Sequence, residues 1–312
     1  MLQQPISKLL NSARSVVLAG CGSGYDVFGA VPLLFELALQ GRQVHLASLS
    51  HADLPSLPGA AAFPGCANLY KIGVGAATTD TFCPEAWLSR WVEEKLGRRI
   101  PVWCMKPDGV QPLRRAWSQL LTHCEADCVI LVDGGLDCVL RGDEVSIGSP
   151  DEDVSILAAI SGIDSVRKFI AGLGLGAGLG FGVHHADILQ RIAELTRERG
   201  FLGGTVLNGN NTAGTLYREA LQFAFDHQPG LPRSHIHEAI LRSLEGDFGA
   251  EYTKGWVSPL LSIYWFFDLM AVARTNVLLP CVDGTQTFEE VGACIQRARA
   301  GMNLRHSGTI PP

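Results

Sequence analysis

The stretch Asp127-Cys128-Val129-Ile130-Leu131-Val132 runs without a break into Asp133-Gly134-Gly135-Leu136-Asp137. Four consecutive apolar residues bounded by a glycine-rich, acidic turn read as a strand buried on both faces, the kind found at the centre of a parallel sheet. Working outward, residues 15–20 form a second short apolar run that ends in a glycine cluster, and residues 29–40 then carry apolar side chains at helical spacing. Strands are expected at 43–49, 68–74 and 102–104, with helices at 84–96 and 111–123 between them. Beyond the central strand the alternation continues. A helix is expected from about residue 151 to 161, a strand at 168–173, a glycine-rich loop, a helix beginning near His185, and a strand at 201–207.

Strands that alternate with helices imply a mostly parallel sheet. The fold class expected is therefore α/β, a Rossmann-like sheet flanked by helices. From residue 211 onward the pattern is helix-rich, with helices at 215–225, 235–244 and 288–300. The apolar and aromatic stretch 258–268 suits either a strand or a buried helix. No Pro- or Ser-rich linker separates the halves, so residues 1–312 are read as one α/β domain, with a core over 1–210 and a helical C-terminal elaboration over 211–312.

Composition narrows the function classes. The 312 residues are 47% hydrophobic and 18% charged, as in a globular protein with a sizeable core, and 35 of them are glycine, above the usual share of about 7%. The formal charge of −6 gives no footprint for a polyanion, so nucleic acid is not expected as a partner. Nine cysteines without a CxxC pair read as reduced core residues of a cytoplasmic protein. Residues 1–14 lack the apolar stretch of a leader, and residues 169–183 are too glycine-rich and short for a membrane span. No membrane partner is expected, and a homo-oligomer is left open.

Three loops carry the candidate chemistry. Gly20-Cys21-Gly22-Ser23-Gly24-Tyr25-Asp26 follows a strand and precedes a helix, the context in which backbone N–H groups face an anion. Gly20, Gly22, Ser23 and Gly24 are thus candidate ligand-binding positions, with Asp26 beside them. The alternative is a tight turn with a capping aspartate. The second loop holds Asp133 and Asp137 with Gly134 and Gly135, then Arg141 and Asp143. Ligands of open α/β sheets bind beyond the carboxyl ends of the strands, where these residues fall. Asp26, Asp133 and Asp137 are the candidate catalytic residues, as general base or as ligands to a divalent cation such as Mg²⁺ or Ca²⁺. Arg141 suits a phosphate or an acidic neighbour. Asp151, Glu152 and Asp153 read as acids at the start of a helix, where the dipole favours them in any protein.

The third loop runs from Gly172 to Gly182, with Gly180 and His184 as candidate contacts. Adjacent histidines point in different directions, so a zinc site at His184-His185 is not supported, and His235-x-His237 reads as an exposed helix start. Asn208 and Asn210, at the end of a strand, suit either a sugar or base edge or a plain turn.

The segments Gly20-Cys-Gly-Ser-Gly-Tyr-Asp26-Val-Phe-Gly-Ala-Val-Pro-Leu33, Val132-Asp-Gly-Gly-Leu-Asp137 with Arg141-Gly-Asp-Glu144, and Pro259-Leu-Leu-Ser-Ile-Tyr-Trp-Phe-Phe-Asp268 together resemble a prokaryotic family, domain of unknown function 1152. The resemblance spans nearly the whole chain and implies a Rossmann-like fold. The residues themselves favour an enzyme acting on a nucleoside, nucleotide or phosphosugar, a hydrolase or transferase of a glycosidic or phosphoester bond. The alternative is a non-catalytic sensor that binds such a metabolite. A purely structural oligomer subunit fits polar loops at strand ends less well.

Overall fold

In a computed structural model of the chain, which describes residues 5–250, 256–306 and 308, the opening run is the strand Cys128–Gly134. In chain order the strands are β1 (Ser15–Ser23), β2 (Gln43–Leu49), β3 (Ala60–Ala62), β4 (Tyr70–Ile72), β5 (Val102–Met105), β6 (Cys128–Gly134), β7 (Arg167–Leu173), β8 (Phe201–Val206) and β9 (Ile263–Asp268). They form one sheet in the order β3-β4-β5-β2-β1-β6-β7-β9-β8. The five central strands, β5 to β7 in that order, run parallel, while β4 and β9 are antiparallel to their neighbours.

Both faces of this sheet are covered, which is why its central strands read as unbroken apolar runs. Successive residues of β1 serve opposite cores. Val16 and Leu18 join one apolar cluster, with residues of the helices Val31–Leu39, Pro84–Leu96, Thr212–His227 and His235–Glu245. Val17, Ala19 and Cys21 join the other, with residues of the helices Val110–His123, Pro150–Ser161, His185–Arg197 and Phe288–Ala300. The stretch 258–268 takes the first of its two readings: a short 3-10 turn, Pro259–Ser262, leads into β9, which enters the sheet between β7 and β8. Among the described residues no helix is long and apolar enough to cross a membrane. Residues 1–4 of the stretch read as free of a leader lie outside the described residues.

The chain order explains where a site belongs. From β1 it moves one way, through β2 to β5, then crosses back to lay β6 on the other side of β1. The connections after β1 and β6 therefore leave the sheet in opposite directions and open a crevice between their carboxyl ends, the usual ligand position in open α/β sheets. Register brings Gly20 of β1 opposite Val132 of β6, so Asp133 at the end of β6 lies beside the loop after β1 that holds Asp26.

Candidate functional site

After β1 the chain turns sharply through a 3-10 segment, Gly24–Ala30, with Gly24 at φ +66°, before the helix Val31–Leu39 begins. The turn folds Asp26 back over the strand end, where its Oδ2 accepts a hydrogen bond from the Gly22 amide at 2.8 Å. After β6, Gly135 at φ +118° and Leu136 at φ +69° form a tight left-handed turn into the 3-10 segment Asp137–Val139. This turn brings Asp137 to the crevice where Asp133 already stands at the end of β6.

A fourth carboxylate joins them. Asp153, in the first turn of the helix Pro150–Ser161, is buried at 8% exposure. Single ligand atoms of Asp133, Asp137 and Asp153 all lie within 4.8 Å of one another, and those of Cys21, Asp133 and Cys138 form a second such group. Asp26 stands at the rim: on Gly22 a β-carbon would sit 2.6 Å from Asp26 Oδ2 and 3.4 Å from Asp153 Oδ1, so the two carboxylates flank that glycine. Gly148 serves Asp137 in the same way, with a β-carbon position 2.6 Å from its Oδ2.

Electrostatics make this cluster costly in its bare form. Two like charges 4.8 Å apart repel by about 3.5 kcal/mol at an effective dielectric constant near 20. Burial and the charge of Asp133 push the Asp137 carboxyl up to about 8. Burial raises Asp133 to about 6, against the opposing pull of the Cys138 thiol and the Cys138 and Leu136 amides. Burial, then the neighbouring aspartates, holds Asp26 and Asp153 well above the usual carboxylate range. Among the described residues none of the four makes an ion pair, and Asp133 Oδ2 is buried without a hydrogen-bond partner. Proton, cation or ligand must supply the missing positive partner.

Space is distributed unevenly. A cavity of about 10 Å³, near the smallest that holds one water, touches Asp137 and Asp153 within a mostly apolar lining. A groove of about 680 Å³ lies alongside, lined by Gly148, Pro150 and Asp151 among others, and Gly148 is common to the groove and to the carboxylate of Asp137. That volume suits a small metabolite.

The remaining candidate residues fall partly within the crevice and partly outside it. Gly134 and Gly135 line it: β-carbons there would meet Asp26 Oδ1 at 3.0 Å and Asp137 Oδ1 at 3.3 Å. Gly20 packs under Asp26, and Gly24 faces Phe82. The Gly22 amide, expected to face a ligand, donates to Asp26 instead, while Ser23 hydrogen-bonds Glu152, which pairs with His51 at 3.0 Å. Arg141 pairs with Asp143 at 3.6 Å and Asp143 with Arg305 at 2.9 Å, in a network that includes Glu144 and Glu194. Gly180 and His184 are exposed around the turn before the helix His185–Arg197. Asn208 Oδ1 accepts from the Asn210 amide, so this exposed pair closes the turn ahead of the helix Thr212–His227.

Two site residues are not evident from the sequence. Asp153 has the ordinary explanation of a helix-start acid. His237, expected at an exposed helix start, is a correction: it is 1% exposed, its Nδ1 lies 2.5 Å from the Tyr217 hydroxyl, and its ring hydrogen-bonds the backbone of Tyr25. A signal was present, because His237 shares a helix face with Ile240, Leu241 and Leu244 at apolar spacing.

No curated protein matches the chain. A family model described as Protein of unknown function (DUF1152) matches residues 88–305, which takes in Asp133, Asp137, Asp153 and His237 and covers more than half of the sequence. The chain belongs to that family.

Proposed function

We propose that this protein is a divalent-cation-dependent enzyme that hydrolyses or transfers a phosphoester or glycosidic bond of a nucleoside, nucleotide or phosphosugar. The observation that carries the reading is the convergence of Asp26, Asp133, Asp137 and Asp153, without an ion pair among the described residues, on the crevice between β1 and β6. An all-oxygen set suits a hard cation such as Mg²⁺, Ca²⁺ or Mn²⁺, which would relieve the repulsion and polarise a phosphoryl oxygen or activate a water. A carboxylate left outside the coordination sphere would serve as general base. The neighbouring groove would take the body of the substrate.

The test is thermal denaturation against a panel of nucleosides, nucleotides and sugar phosphates, each with and without Mg²⁺, Ca²⁺ or Mn²⁺, followed by product analysis for every compound that shifts the midpoint. A cation-dependent shift with product formation is expected, and Asp133→Asn should abolish turnover in a protein that still melts cooperatively. Unchanged turnover in that variant would sink the assignment. A shift that is never accompanied by product would identify a binding module instead.

A further inference from the structure

Two sulfurs share the end of the crevice with the carboxylates. Cys21 lies near the carboxyl end of β1 with no exposed surface, and Cys138, at 3% exposure, lies in the 3-10 segment after β6. Both side chains join the core on the face of the sheet covered by the helix Pro150–Ser161, and with Asp133 they bring three ligand atoms within 4.8 Å of one another. Asp133 also belongs to the group formed with Asp137 and Asp153, so one carboxylate is common to a sulfur-rich set and an all-oxygen set.

Buried cysteines are ordinary core residues, and Cys124 and Cys128 fill that role here among apolar neighbours. Cys21 and Cys138 keep different company. Their thiols hydrogen-bond each other, and the Cys138 thiol hydrogen-bonds Asp133. Thiols are weak donors and weak acceptors, so these bonds offset little of the cost of burying a carboxylate. Among the described residues, moreover, Asp133 Oδ2 has no hydrogen-bond partner. Around a tetrahedral Zn²⁺, with Zn–S of about 2.3 Å and Zn–O of about 2.1 Å, ligand atoms stand about 3.6–3.8 Å apart. The three atoms here need to draw together by roughly 1 Å at most. An ion held in this way takes the place of the protons between its ligands and needs no separate cavity.

We propose that Cys21, Cys138 and Asp133 form a second cation site, for a thiophilic divalent ion such as Zn²⁺, and that Asp133 bridges it to the hard-cation site of Asp137 and Asp153. Thiolates select Zn²⁺ where carboxylates alone suit Mg²⁺ or Ca²⁺. Three protein ligands leave a fourth position open, as in catalytic zinc sites, and a shared carboxylate is what holds two ions close enough to act on one substrate. The bridge deepens the functional reading above and rests on it; the sulfur site stands without it.

Titration of the reduced, chelator-treated full chain with Co²⁺, a spectroscopic stand-in for Zn²⁺, tests the site. One equivalent is expected to give a thiolate-to-cobalt charge-transfer band in the near ultraviolet, which Zn²⁺ bleaches. Cys21→Ser and Cys138→Ser should each lose the band, while Cys281→Ser, which removes a half-buried thiol elsewhere, should keep it. X-ray absorption of the zinc-loaded wild type should count two sulfurs, a reading that holds even if a serine variant fails to fold. Absence of the band, its survival in both Cys21→Ser and Cys138→Ser, its loss in Cys281→Ser, or a sulfur count other than two overturns the sulfur site. Asp133→Asn should weaken Co²⁺ binding by about tenfold or more and also lose the thermal shift given by Mg²⁺; one effect without the other overturns the bridge. Failure of the functional reading looks different: no Mg²⁺ shift and no turnover by the wild type, with the charge-transfer band still present.

Discussion

Glu85 has no exposed surface, and among the described residues its Oε2 has no hydrogen-bond partner, although Ser48 donates to Oε1 at 3.3 Å. Burial pushes its carboxyl up to about 7, against the opposing pull of Ser50, Cys83 and Ser48. The folded state therefore holds this proton more tightly than the unfolded chain. Its contribution to stability is complete below the ordinary value of 4.5 and is lost as pH rises through about 7. Glu85→Gln, which has no proton to lose, should match the wild type below about pH 4.5 and exceed it in urea resistance at pH 8, by on the order of 3 kcal/mol at most. A stability difference that is flat with pH would refute this. Glu85 shares with Asp153 and His237 a property that sequence conceals. Each sits within the first turn of a helix, where a polar residue has a ready local explanation, and only the rotation of that helix against the sheet decides whether the side chain faces solvent or core. Asp26, Asp133 and Asp137 were legible because strand ends in an α/β pattern announce themselves.

At the scale of elements, the turn after β6 is a small device with a large lever. Leu136 occupies the left-handed region at φ +69° and is fully buried. It can rest there because Gly172 on β7 has no side chain: a β-carbon on Gly172 would lie 2.5 Å from Leu136 Cγ. Gly172→Ala should displace Leu136 and with it the neighbouring Asp137. A destabilisation of about 1–3 kcal/mol is expected from such overpacking, together with a weaker thermal response to cation. Full stability with an unchanged cation response would show that the turn and the strand are not coupled. Glycine here was visible in the sequence, but read as the start of a loop carrying candidate ligand contacts. Its actual use is a close approach between neighbouring elements. Long elements with clear periodicity were legible almost to the residue, as in Pro84–Leu96 and Phe288–Ala300. The three-residue strand Ala60–Ala62 and the short helices Leu269–Thr275 and Leu279–Val282 were not, because such lengths hold too few residues to display a period.

At the scale of the whole molecule, the site is a consequence of strand order, and its energetics oppose the fold that makes it. Crossing from β5 back to β6 sets two acidic strand ends beside each other, and the helix Pro150–Ser161 that follows β6 closes the crevice with a further acid. Such a concentration of carboxylates costs stability, so its removal should help the bare protein and harm the loaded one. Because burial and the charge of Asp133 disfavour its ionised form, Asp137→Asn should raise the melting temperature in chelator at about pH 8. The same variant should lose most of the rise that Mg²⁺ or Mn²⁺ gives the wild type. A cation at 100 times its dissociation constant stabilises by about 2.7 kcal/mol, and at roughly 2 °C per kcal/mol for a chain of this size the wild-type shift should be about 5 °C. Equal cation shifts in the two proteins would place the ion away from Asp137. A variant less stable than the wild type in chelator would mean that Asp137 contributes more through its hydrogen bonds than it costs through repulsion.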